Sequence, residues 1–113
     1  MMNLSSTTKE QVQIVTVQDA RIDAAVALAF KNGMRSETQR GAHRIILDLG
    51  AVEFVDSSGL GAIVASMKAL GNGRKLVLAG LTPTVEKVFR LTRMDSVFPI
   101  YPSLDDALAS LKK

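Results

Sequence analysis

RIILDLGAVEFVDSSGLGAIVASMKAL, residues Arg44 to Leu70, passes from a short apolar run through an acid, two serines and two glycines into a second apolar run with a different period. Arg44 to Leu49 is a short run, apolar apart from Arg44 and Asp48, that ends at Gly50, the pattern of a strand covered on both faces. Leu60, Ile63, Val64, Met67 and Leu70 recur at three- and four-residue steps until Gly71 to Gly73 stop the chain, the pattern of a helix with one buried face. A buried strand, a polar loop and an amphipathic helix together make the repeating half of an α/β fold.

The same alternation continues on both sides. Upstream, Gln11 to Val17 (QVQIVTV) alternates polar with β-branched residues, which predicts a strand with one buried face, and Asn3 to Glu10 supplies a short hairpin partner or a flexible edge. Val26, Ala27, Phe30 and Met34 set an apolar stripe on a helix predicted over Asp23 to Arg40, with Asp23 as its N-cap. Downstream, Lys75 to Ala79 is the next central strand. Thr82 followed by Pro83 opens a helix running towards Leu91, the threonine oxygen capping free amides. Phe98 to Tyr101, between prolines, fits a short edge strand. Ser103 caps a last helix, with Asp105 and Asp106 in its first turn and Lys112 and Lys113 at its end. The expected order is β-β-α-β-α-β-α-β-α: one domain over residues 1–113, with a mixed, mainly parallel sheet of four to five strands and about four helices.

Composition removes several classes of function. With 113 residues, 47% of them hydrophobic and 22% charged, the chain is long enough for a core without staples. There is no cysteine, so disulfides and thiol catalysis are excluded. No apolar run is long enough to span a bilayer and the amino terminus lacks a secretory pattern, so the expected location is the cytoplasm, with no membrane contact. The net charge of +3 is dispersed among acids, and four phenylalanines with one tyrosine make no base-stacking platform, so direct nucleic-acid binding is not expected. No Walker loop, dinucleotide fingerprint or metal-ligand spacing is present, and no cofactor is expected. A nucleophilic serine needs a base. His43 is the sole histidine and precedes the central strand, at the far end from Ser57 and Ser58.

What remains is the loop. Asp56, Ser57 and Ser58 stand where a strand's carboxyl end meets a helix amino terminus, which carries about half a positive charge and tolerates an added anion. A serine there is most simply a cap. Gly59 and Gly61 bring no side chains, so another protein's surface could approach closely. Asp48 is read either as pointing towards a helix end or as a tolerated strand-end acid, and Met34, Met67 and Met94 as apolar packing.

The segment Arg44 to Leu70, with its Asp-Ser-Ser-Gly-Leu-Gly, resembles the STAS-domain family, and within it the bacterial anti-sigma factor antagonists. The likeness runs on through Gly73 to Leu111 and covers about Gln11 to Leu111. It implies a non-enzymatic regulator that is monomeric when free. Position by position, Ser57 is the implied phosphorylation site and Ser58 a cap or supporting hydroxyl. Asp23, Asp56, Ser57, Ser58, Gly59, Leu60 and Gly61 form the implied partner-facing surface. The dephosphorylated protein would bind an anti-sigma factor that is also a serine kinase, phosphorylation would release it, and a serine phosphatase would reset it. Many family members carry Gly-Glu-Leu-Asp where this chain reads Ala20, Arg21, Ile22, Asp23, so an acid has become a base. Asp23 is read equally as partner-facing or as a helix cap. A second reading is a permanent structural STAS subunit of a lipid-transport ATPase or a signalling scaffold, which would need no hydroxyl at Ser57.

Overall fold

A computed structural model describes residues 2–39, 41–71 and 73–111. Its main sheet has five strands, β1 (Leu4–Lys9), β2 (Val12–Val17), β4 (Arg44–Asp48), β6 (Lys75–Ala79) and β7 (Ile100–Tyr101), in the order β1-β2-β4-β6-β7. β1 runs antiparallel to β2 and every other neighbouring pair is parallel. A separate two-stranded parallel sheet pairs β3 (Arg21–Ile22) with β5 (Phe54–Val55). Four helices complete the domain: α1 (Ala27–Thr38), α2 (Ser57–Leu70), α3 (Pro83–Leu91) and α4 (Leu104–Leu111), with a 3-10 turn at Met94–Ser96. The expected α/β class and mainly parallel sheet are present, while β3 and β5 are short strands that the expected order lacks.

Strand alternation divides the core into two layers. Val15, Val17, Ile45, Leu47, Leu76 and Leu78 face Phe30 and Met34 of α1, Ala62 and Ile63 of α2, and Val85 and Phe89 of α3. Phe89 meets Phe98 edge to face at 6.3 Å between ring centroids, a favoured aromatic geometry. The opposite register, Val12, Ile14, Ile46, Val77 and Ala79, is covered by α4 through Ala107, Leu108 and Leu111. Met34 is buried, while Met67 and Met94 pack half-buried against the first layer, as apolar filling.

Expectations for β2, for the start of α1 and for the cap of α3 are corrected. β2 is buried on both faces, because β1 covers its outer edge and helices lie above and below. Its one buried polar side chain, Gln13, is satisfied on one side only: Nε2 donates to Ser6 Oγ and to the Glu37 carbonyl, while Oε1 has no hydrogen-bond partner among the described residues. Helix α1 starts at Ala27, with Val26 at the N-cap and no side-chain cap. Asp23 instead closes its own turn, its Oδ1 accepting from Ala25 N at 3.1 Å. Thr82 holds the N-cap position of α3 in extended conformation, but its hydroxyl donates to the Val52 carbonyl at 2.9 Å rather than accepting from the helix. Ser103 does cap α4, accepting from Asp106 N at 3.1 Å. Helix α1 ends at Thr38, short of the expected Arg40, and the expected closure of α4 by Lys112 and Lys113 lies outside the described residues.

β1 and β2 are joined by a two-residue turn, Glu10 and Gln11, both with positive φ, whose left-handed pair matches the twist of an antiparallel hairpin. The expected hairpin partner is therefore a strand, Leu4–Lys9, with a tight return.

Candidate functional site

Chain direction places the site. β4 leaves the sheet at Asp48, whose Oδ1 accepts from Gly50 N at 2.9 Å, so this acid stabilises its own turn. The chain then pairs briefly with β3 through Phe54 and Val55 before α2 begins at Ser57. Alternation in so short a strand buries Val55 and turns Phe54 outward.

Asp56 is the N-cap of α2. Its Oδ1 accepts from Gly59 N at 2.8 Å and its Oδ2 from Ala24 N at 3.1 Å, so one carboxylate ties the helix start to the turn after β3. The Gly59 amide holds this carboxyl below the usual carboxylate range; partial desolvation opposes it, and the Ala24 and Ser58 amides and the Arg21 charge add to the lowering. Ser58 is thus not the cap. Aspartate takes that place because the extended backbone at Asp56 aims its carboxylate at the third residue onward.

Ser57 and Ser58 occupy the first two helical positions and both are exposed. Among the described residues the Ser57 hydroxyl has no hydrogen-bond partner. Gly61 lies four residues beyond Ser57, on the same helix face, and nothing approaches the place a Cβ would occupy. Gly59 differs. It is buried, and a Cβ there would overlap the Ile22 carbonyl oxygen of β3 and stand 2.7 Å from its carbon. Its missing side chain serves internal packing, not access by a partner, which corrects half of the reading of the two glycines. Leu60 is half-buried against the core, so it supports the site more than it lines it.

The substituted edge has its own chemistry. Arg21 lies opposite Phe54 in the β3–β5 register, and its guanidinium carbon sits 4.2 Å from the centroid of the Phe54 ring. Its Nε also pairs with Asp23 Oδ2 at 3.1 Å. The base therefore covers an exposed aromatic ring, a geometry of favourable cation–π contact. Sequence reasoning missed Phe54 as a surface group. It reads as core in an apolar run, and only the alternation of a two-residue strand turns it out.

His43 lies at the entrance of β4, with Nδ1 3.3 Å from the Gly73 carbonyl, whereas Ser57 follows the exit. No base from that side meets the serines. Among the described residues no three His, Cys, Asp or Glu gather into a group able to hold a metal ion, and no helix is long and apolar enough to cross a membrane.

The order of strands, the Asp-capped α2 and the exposed serines coincide with a family match: the STAS domain family matches residues 3–107. The chain belongs to the STAS domain family. Among its relatives, BtrV of Bordetella bronchiseptica, named as a candidate anti-sigma factor antagonist, is 30% identical over 92 residues, spanning 80% of this chain and 79% of that one. The anti-sigma-B factor antagonist of Staphylococcus aureus is 25% identical over 100 residues, spanning 88% and 92%. The crystal structure of an anti-sigma factor antagonist from Mycobacterium paratuberculosis superposes with a TM-score of 0.89 at 28% identity, covering 100% of this STAS chain and 96% of that one.

Proposed function

We propose that this STAS domain is an anti-sigma factor antagonist whose hold on its partner is set by phosphorylation of Ser57. The observation that carries the reading is the Ser57 hydroxyl, exposed and without a hydrogen-bond partner among the described residues, at the first position of a helix whose cap is already filled by Asp56.

The hydroxyl is free to enter a kinase active site because no bond inside the domain must break first. The open space at Gly61 lets a partner's backbone come close beside it. Phosphate adds about −1.5 to −2 charges and three acceptor oxygens at neutral pH. In the isolated domain that charge remains in water, next to a helix end of favourable sign. In a closed complex it must be desolvated beside Asp56, and a penalty of about 3 kcal/mol weakens binding more than a hundredfold. The switch acts on recognition and leaves the fold alone.

The partner is an anti-sigma factor carrying serine kinase activity, a serine phosphatase resets the switch, and the domain contributes no catalysis of its own. Ser57, Ser58 and Gly61 form the docking face, flanked by Asp23 and by the Arg21–Phe54 stack. Intact-mass analysis and peptide mapping of the protein from its native host, with and without phosphatase, test the assignment. One phosphate on Ser57 is expected, together with Ser57→Ala that stays bound to the kinase and accepts none. Phosphate found only at another residue refutes it.

A further inference from the structure

Helices α1 and α2 lie side by side on the sheet, and between them, on the side away from the strands, runs a groove of about 340 Å³. Its residues on α2, Ala65, Ser66, Ala69 and Leu70, begin eight positions past Ser57, about 12 Å along the helix, so this is a different place from the docking face. The groove is hollow because Ala65 and Ala69 face it where longer side chains would fill it.

Its floor is apolar in effect. Thr38 and Ser66 are buried, and both hydroxyl protons are already spent on their own helices, Thr38 Oγ1 donating to the Met34 carbonyl at 2.7 Å and Ser66 Oγ to the Ala62 carbonyl at 2.9 Å. Leu28, two-thirds exposed, stands at its mouth. The rim carries Lys31 and Arg35 and no acid. Neither cation is in an ion pair among the described residues, and Arg35 is held in place by Nη2 donating to Asn32 Oδ1 at 3.0 Å.

We propose that this groove is a binding site for a small amphipathic anion, an unbranched alkyl chain of medium length ending in a carboxylate. The tail matches a floor with no unspent donor, and the head matches two uncompensated cations at one edge. A volume near the lower end of the range for small-molecule pockets suits such a ligand. A nucleotide finds no aromatic ring to stack on among the residues that line it.

The test is a titration of the isotope-labelled full chain with sodium decanoate below its micelle concentration, followed by amide chemical shifts. Saturable shifts confined to Leu28–Thr38 and Ala65–Leu70 are expected. Arg35→Gln should weaken the affinity about tenfold by removing one charge contact, and replacing decanoate by uncharged decanol should weaken it at least as much, since the head then pairs with neither cation. Ala69→Phe should abolish binding by filling the groove, and thermal unfolding checks that this variant is folded; if it is not, Ala65→Leu serves the same purpose. Absence of saturation at millimolar decanoate, shifts elsewhere, or equal affinity of decanoate and decanol overturns the proposal. So does an acidic helical peptide that saturates these amides when decanoate does not.

Discussion

Gly59 of α2 lies directly against the carbonyl oxygen of Ile22 in β3, with no room for a single added carbon. This contact sets how closely the serine-bearing helix sits on the two-stranded β3–β5 sheet. The obstacle is backbone, which cannot swing aside as a side chain would. Gly59→Ala should therefore destabilise the domain by about 2 kcal/mol or more, as overpacking does. Gly61→Ala, two residues on and facing open space, should stabilise it by about 0.5 to 1 kcal/mol through helix propensity. Urea unfolding of the two variants measures both, and a Gly59→Ala protein of unchanged stability would contradict the packing.

The Asp56 carboxylate gives the domain a signature in acid. Its pKa is lowered in the folded state, first by the Gly59 amide, so ionised Asp56 favours folding. That contribution is fully present above the ordinary carboxylate value near pH 4 and is lost as pH falls below it towards the lowered value. Asp56→Asn should lower stability at pH 7, and its difference from the parent protein should shrink on acidification below about pH 4. Parallel urea titrations at several pH values read the difference directly; a gap that stays constant into acid would remove the charge from the account.

Thr82 tests a hydroxyl that works as a strut. Because it donates to the Val52 carbonyl instead of capping α3, Thr82→Val should cost about 1 kcal/mol and Thr82→Ser much less, since only the first loses the donor. If Thr82→Val is instead neutral, the bond to Val52 contributes nothing.

Arg21 separates surface chemistry from stability. Its ion pair with Asp23 is exposed and its ring contact lies at the edge of the sheet, so Arg21→Ala should change stability by less than about 1 kcal/mol. It uncovers Phe54, and affinity for the partner should change by a larger factor than the folding equilibrium does. Thermal scans beside a binding titration with the native partner decide it.

Ser57→Ala should leave stability within about 0.5 kcal/mol of the parent, since the hydroxyl makes no internal bond among the described residues. A larger loss in thermal unfolding would assign Ser57 a structural task.

The main strands and helices were legible because their periods are strong and their ends are marked: Gly50 after β4, Gly71 after α2, Pro83 at the first turn of α3, Ser103 before α4. β2 was misjudged since Gln13 reads as an outward polar residue, and its burial depends on Ser6 and on the end of α1, partners distant in the sequence. β3 and β5, two residues each, are too short for any period to register. At the site, Asp56, Ser57 and Ser58 are three good cap formers in a row, and propensity cannot rank them. The extended backbone at Asp56, which lets its carboxylate accept from Gly59 N, decides, and the second oxygen is held by Ala24 N from 32 positions away.

One face of the sheet is sealed by a single eight-residue helix. Val12 and Ile14 emerge early in synthesis, but Ala107, Leu108 and Leu111, which cover them, are among the last of these residues to be made. Until α4 docks, a nascent chain presents a greasy, strand-rich surface to its neighbours. A chain with α4 undocked is therefore prone to association through this face.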